Sequence, residues 1–405
     1  MKILIVTSNY PRWPGDSTTP FVHNFARELV NQGVKVRVLA PHFEGAKRKD
    51  IMDGVEIRRF RYWLPESGQT VCYQGGALGN LKKSWVNKLK LPILVVCELF
   101  FTLLQTLSWK PDWINSHWLI PQGFACALVS KVTRTKHVAT IHGSDVMALD
   151  SKLLRKFKAF TLQCADIVTV NSSVTRAKTQ EISQKNSHKL MPLPTGILPV
   201  PPFKVEDVIK LRTSLIGENK SGKKLLLFVG RLNEEKGVSE LLEATKILIG
   251  EGLDLALVLV GIGHEENIFK QQAVRLGINE SVNFVGWVES KDIYRYYAAA
   301  DVFVGPSKRS SSGGVEAQGL TFAEAMLAGC KVVGTNSGGI PDAVIDGKTG
   351  WLAEPGDALD LSKKIKLALE HEDRHWIEQA ETFSRNNFLV TATVSKFLQY
   401  IEGRR

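Results

Sequence analysis

The chain is poor in cysteine, with five in 405 residues. Cys72, Cys97, Cys126, Cys164 and Cys330 are an odd number, far apart, with no C-x-x-C pair. This excludes a disulfide framework and a zinc site built on paired thiols, and it points to reduced, mostly buried cysteines in a cytosolic protein. An apolar run long enough for a signal peptide is also missing from the N-terminus, where MKILIVTSNYPRWPG reads as a first buried strand. There is no short-period repeat and no low-complexity tail. The most apolar stretch, LPILVVCELFFTLLQTL (91–107), is a little short for a membrane span and is interrupted by Pro92, Glu98 and Gln105. It reads as a helix packed on a sheet. Trp85, among the four lysines of the preceding KKSWVNKLK, keeps a membrane-facing amphipathic element as the alternative.

What is present is the composition of a soluble globular protein, 44% hydrophobic and 23% charged, long enough for two or three domains with substantial cores. The formal charge of +11 is unevenly spread. Residues 1–200 hold 27 Lys and Arg against 13 Asp and Glu, and the remainder holds 25 against 28. The basic half implies an anionic partner, such as a phospholipid surface or a lipid-diphosphate acceptor. Nucleic acid has the charge but no recognition module in its favour, and is not expected as a partner.

Short apolar runs alternate with helical patterns, the sign of βαβ units and parallel sheets. Strands are expected at 2–7, 35–41, 112–117, 137–143 and 165–170, and again at 224–230, 255–261, 282–286, 301–307 and 330–335. Between the two series lies the Pro-rich MPLPTGILPVPPF (191–203), which suits neither helix nor central strand. The fold class expected is α/β, with two Rossmann-like doubly wound domains facing each other across a cleft. The divisions are 1–198, a linker at 199–206, 207–385, and a C-terminal helix at 386–405 packing back on the first domain. Open sheets of this kind bind ligands at the carboxyl ends of their strands.

The segment VEAQGLTFAEAMLAG (315–329) places two glutamates, Glu316 and Glu324, with seven residues between them. On one unbroken helix eight steps would hold them ~12 Å apart, too far to share a proton. Gly319 allows a tight loop, so a helix is expected to start near Thr321, with Thr321 and Glu324 as a T-x-x-E capping box. Glu316 then precedes the turn, and the free amides of Gly319, Leu320 and Thr321 form an anion site. In VGRLNEEKG (229–237), Arg231 and Lys236 follow a strand end, where two cations can neutralise a diphosphate without a metal.

In the first half, Thr18 or Thr19 is expected to cap a helix whose first residue is Pro20. TIHGSDV (140–146) and NSHWLIPQG (115–123) place His142 and His117 at strand ends. Asp145 can orient a ring or cap the next helix, and the cap is favoured.

These motifs, with VGIG (260–263) and GGIPDAVIDGKTGWLAEPGD (338–357), give the chain a resemblance to retaining glycosyltransferases of family 4, with the GT-B fold, over nearly its whole length. The resemblance implies that Arg231 and Lys236 bind the donor diphosphate and that Glu324 accepts from the ribose hydroxyls. It implies that Glu316 and the backbone at Gly319, Leu320 and Thr321 hold the transferred sugar and its phosphate. His142, beside Gly143, would line the sugar pocket, with His117, Asp145, Thr18 and Thr19 on the substrate side. It further implies a hexosyl transfer with front-face retention, no resident metal or other cofactor, and a nucleotide-diphosphate sugar donor, UDP-linked by default. The acceptor would be a glycan or lipid-linked molecule in polysaccharide biosynthesis, and the enzyme cytoplasmic or peripheral on the inner face of the membrane. Two departures stand out. Ser17, Thr18 and Thr19 occupy a first loop where many relatives have glycine, and hydroxyl donors would have to substitute. Gln318 stands where an aromatic or small residue is frequent.

The alternatives are a sugar-nucleotide epimerase on the same fold, an NAD-dependent oxidoreductase and a non-catalytic sugar-binding protein. The second has only Gly261 and Gly263 in its favour, because Glu266 holds the place of the third fingerprint glycine.

Overall fold

Runs such as LALVLV, in which every residue is buried, can sit only in a sheet covered on both faces, and the structure is built on two such sheets. In this computed structural model all residues are described except Ser17, Gly75, Leu149, 218–221, Ser312 and Arg405. The chain divides into two units, Met1–Gly196 with Val390–Arg405, and Ile197–Leu389.

The first unit carries β1 (Lys2–Val6), β2 (Lys35–Pro41), β3 (Lys49–Met52), β4 (Val55–Phe60), β5 (Trp113–His117), β6 (Lys136–Ile141), β7 (Ile167–Val170) and β8 (Leu190–Pro192). Their order is β3-β4-β2-β1-β5-β6-β7-β8. All pairs are parallel except the β3–β4 hairpin at one edge. The strand order reverses between β1 and β5, so the loops after these two strands open at the switch point.

The second unit carries β9 (Lys224–Val229), β10 (Leu255–Val260), β11 (Val282–Gly286), β12 (Val302–Gly305), β13 (Lys331–Thr335) and β14 (Trp351–Ala353), ordered β11-β10-β9-β12-β13-β14 and wholly parallel. Its switch point lies between β9 and β12. Both sheets are doubly wound, as the alternating pattern implies.

The Pro-rich stretch is divided between the units rather than forming a separate linker. Ile197 bridges Leu389, the Tyr294 hydroxyl donates to Leu198 O at 3.1 Å, and Val200 and Phe203 pack on the second core, so residues from 197 onward belong there. The return comes at Val390: a helix Arg374–Phe388 ends on the second unit, and the last helix, Val390–Glu402, lies on the first. Its Phe397 meets Phe25 of the helix Pro20–Asn31 edge to face, with ring centroids 5.1 Å apart.

The apolar stretch forms a helix longer than the run itself, Trp85–Trp109, because the basic residues before it are helical too. At 25 residues it is long and apolar enough to cross a membrane by length and composition, contrary to the expectation from 91–107 alone. Its inner side lies on the first sheet, with Leu94, Glu98, Thr102 and Thr106 buried.

Candidate active site

The site residues of the second unit lie on loops leaving the carboxyl ends of β9 and β12. After β9 the chain passes Gly230 and Arg231 into a 3-10 turn, Glu234–Lys236, and then Gly237. Gly237 has φ +68°, and a Cβ there would lie 1.9 Å from Pro306 O. Only glycine lets the loop after β9 approach the loop after β12 this closely. The approach is fastened by Lys308, whose amide donates to Glu235 O at 2.9 Å and whose ammonium pairs with Glu240 at 2.6 Å.

This juxtaposition brings Lys236 and Glu316 together, the Lys236 ammonium donating to Glu316 Oε2. Glu316 Oε1 accepts from the Gly319 amide at 3.4 Å. Burial raises the Glu316 pKa, but Lys236, by charge and hydrogen bond, and the amides of Gly319 and Gln318 outweigh it, so the carboxylate stays below its usual range. From behind, the Gly339 amide donates to Glu316 O at 2.9 Å, and a Cβ on Gly338 would meet that oxygen at 2.1 Å. The glycine pair therefore lets one backbone lie against the other.

The helix begins at Leu320, one residue before the expected start, with Gly319 in the left-handed region (φ 73°) as its N-cap. The capping box does not form. No side chain caps this helix, and Thr321 is its second residue. Glu324 instead accepts from the Tyr297 hydroxyl at 3.1 Å. Burial, only partly offset by this bond, pushes the Glu324 carboxyl up to about 7. With no side-chain cap, the amides of the first turn remain available to an anion. Arg231 shares the loop but not the pair: its guanidinium donates to Glu235 at 2.8 Å, and its side chain is 72% exposed.

In the first unit the expected threonine cap also fails. Thr19 sits in the left-handed region at the N-cap of Pro20–Asn31, but its hydroxyl donates to Asn9 O at 3.1 Å. The Thr18 hydroxyl donates to Asp16 at 3.0 Å, and Asp16 in turn takes two bonds from the Arg12 side chain, at 2.7 and 3.0 Å. Both threonine hydroxyls are thus engaged in holding their own loop, and Ser17 lies outside the described residues.

His117, at the end of β5, and His142, just past β6, do come together. Their rings stack at 16° with centroids 5.0 Å apart, and His117 Nδ1 bonds His142 Nε2 at 2.9 Å. Burial lowers both pKa values: His142 falls to about 4, and His117 falls well below 6.5 with some help from its neighbour. Two neutral imidazoles, one donating and one accepting, satisfy this bond at pH 7. Asp145 neither orients a ring nor caps. It accepts from the amides of Leu119 at 3.1 Å and His142 at 3.3 Å, tying the two strand-end loops together. Gly143, at φ 98°, opens the short helix Ser144–Met147.

Several participants carried no signal of their own in the sequence. Tyr297 is one of six residues in a row, IYRYYA, with no distinguishing pattern. Phe21 and Trp118, with centroids 5.0 and 5.1 Å from the His142 ring, and Asn171, which donates to His142 O at 3.3 Å, read as ordinary core. Among the described residues no group of three or more His, Cys, Asp or Glu is placed to hold a metal ion.

Comparison with known proteins agrees with this fold. Residues 19–198 match the sequence model described as Glycosyltransferase Family 4, and residues 214–387 match Glycosyl transferases group 1. The chain belongs to the family 4 glycosyltransferases and has the GT-B fold. It is 29% identical over 393 residues to the amylovoran biosynthesis glycosyltransferase AmsK of Erwinia amylovora, covering 89% of each chain. It is 26% identical over 418 residues to the GDP-mannose-dependent alpha-(1-6)-phosphatidylinositol monomannoside mannosyltransferase of Mycolicibacterium smegmatis, covering 100% of this chain and 99% of that one. Among solved structures, Anabaena Alr3699/HepE in complex with UDP superposes with a TM-score of 0.73 at 19% identity, covering 100% of both chains.

Proposed function

We propose that this glycosyltransferase moves a hexose from a nucleotide-diphosphate donor, UDP-linked in preference, to a glycan or glycolipid acceptor with retention at the anomeric carbon. The observation that carries the reading is the Lys236–Glu316 pair beside the uncapped helix at Leu320. Lys236 and Arg231 take the charge of the diphosphate, aided by the amides of Leu320 and Thr321, and a resident metal is not required for that purpose. Glu316 holds the transferred sugar, and Glu324 accepts from the ribose hydroxyls. Charge grows on the departing diphosphate, so cations and helix-end amides fixed before the reaction favour the transition state. In a front-face path the leaving phosphate oxygen takes the acceptor proton.

A UDP donor is supported by the UDP complex of the Anabaena structure. A polysaccharide or lipid-linked acceptor is supported by the amylovoran and phosphatidylinositol relatives and by the basic first 200 residues, which also fit a cytoplasmic enzyme at the inner membrane surface. No relative reported above is an epimerase, and that reading is not retained.

The test is incubation with UDP-, GDP- and ADP-sugars in the presence of candidate lipid-linked and oligosaccharide acceptors. Release of nucleoside diphosphate with an α-glycoside from an α-donor is expected. Product of inverted configuration, or turnover of none of the donors, would overturn the proposal.

A further inference from the structure

The helix Trp85–Trp109 is apolar on both sides. Its buried side carries Leu94 among the polar Asn87, Lys90, Glu98, Thr102 and Thr106, with Leu91, Leu99 and Phe101 packed at its flanks, whereas its exposed side carries Trp85, Leu89, Ile93, Val96, Phe100, Leu104 and Leu107. The exposures are large, with Trp85 at 71%, Val96 at 65% and Phe100 at 59%. An ordinary helix on a soluble domain has a polar outer side. The steps between the exposed apolar residues are 4, 4, 3, 4, 4 and 3, so 85, 96 and 107 repeat every eleven residues. At that period a straight helix keeps the stripe on one side along ~33 Å, whereas a left-handed coiled-coil partner needs the 3.5-residue period.

The segment that carries the stripe is nearly of one charge sign. From 67 to 111 the sequence has one acidic residue, Glu98. It is wholly buried, and burial, opposed by Gln122, pushes its carboxyl up to about 8. Lys82, Lys83 and Lys88 are exposed at the end that carries Trp85. Lys90 is turned inward, donating to Gly68 O at 2.6 Å. Asn87 and Lys90 tie the helix to the loop at Gly68 and Thr70, so it cannot leave to cross a bilayer without exposing Asn87, Lys90 and Glu98 to hydrocarbon.

We propose that this helix lies in the plane of a membrane containing anionic lipids, its seven-residue apolar stripe set among the acyl chains and Lys82, Lys83 and Lys88 on the headgroups. The arrangement is that of an interfacial helix, with Trp85 at the level of the lysines. It extends the surface reading made above from charge alone, and it adds apolar insertion, which salt does not screen.

Flotation of the full-length protein tests it without a donor, so its failure is separate from failure of the transferase reading. Binding is expected to vesicles of phosphatidylcholine with phosphatidylglycerol, weakened but not abolished by high salt, with a blue shift of fluorescence that Trp85→Phe diminishes. The double substitution Val96→Ser, Phe100→Ser is expected to lower partitioning at least ~tenfold while leaving circular dichroism and turnover of a soluble acceptor unchanged. Three results would overturn the proposal: no flotation, flotation indifferent to the serine substitutions, or a dimer in lipid-free sedimentation that those substitutions dissolve, which would assign the stripe to a second copy of the chain.

Discussion

Lys236 and Glu316, 80 residues apart in sequence, form an ion pair, each side chain about one-fifth exposed. On the proposed reading, an incoming diphosphate shares Lys236 with a carboxylate already there. Glu316→Gln removes the competing anion and keeps the shape. Nucleoside diphosphate is expected to bind roughly two- to fivefold more tightly, the worth of one partly exposed pair, while sugar transfer slows. Titration calorimetry checks this, and weaker binding by the variant would contradict the competition.

Glu324 sets a pH dependence. Its carboxyl titrates near 7 in the folded chain against 4.5 for the unconstrained group, because burial outweighs the Tyr297 bond. Between those values the native state holds more protons, so this group's contribution to stability is complete at low pH and is lost as pH rises to about 7. A ribose diol donating two hydrogen bonds is held more strongly by the ionised form, so nucleotide affinity is expected to rise as pH passes 7. Glu324→Gln should flatten both profiles, which binding and thermal unfolding across that range would measure.

Gly237 is expected to tolerate no side chain. Gly237→Ala combines a left-handed φ with a Cβ 1.9 Å from Pro306 O, and a loss of about 2–4 kcal/mol is expected in denaturant unfolding of the second unit. Gly250→Ala, with open space around the added carbon, serves as the neutral comparison.

The stacked histidines make the first unit sensitive to acid. His142 is held neutral to about 4, against 6.5 for the free group. The unfolded chain thus binds more protons between these values, and stability rises with pH through that window and is lost as pH falls through it. In His142→Asn the slope of stability against pH from 4 to 6.5 should decrease, whatever the absolute change. An unchanged slope would show that the pair does not titrate as described.

The sheets were legible because buried parallel strands are written as apolar runs, and nine of them stood out, together with the edge strand β11. The short edge strands β3, β8 and β14, and β4, the hairpin partner of β3, did not, since three or four residues at an edge, or the charged VEIRRF, lack that signature. At the site, the company of Lys236, Glu316 and the Gly319 turn followed from strand-end topology, whereas Arg231, expected with them, turns to Glu235. The T-x-x-E box was misleading because its local pattern fits both a cap and a buried glutamate. What decided between them was Tyr297, 27 residues away on another helix. Likewise Thr18 and Thr19 read as caps until Asp16 and Asn9 O took their hydroxyls. Long-range partners of this kind leave no trace in local spacing.

The most direct measurement is steady-state turnover of a nucleotide sugar by Lys236→Ala, with exposed Lys246→Ala as the comparison. If Lys236 neutralises charge on the leaving diphosphate, kcat falls by ~10² to 10³ in the first variant and is unchanged in the second. Near-normal kcat in Lys236→Ala would contradict the account at its centre.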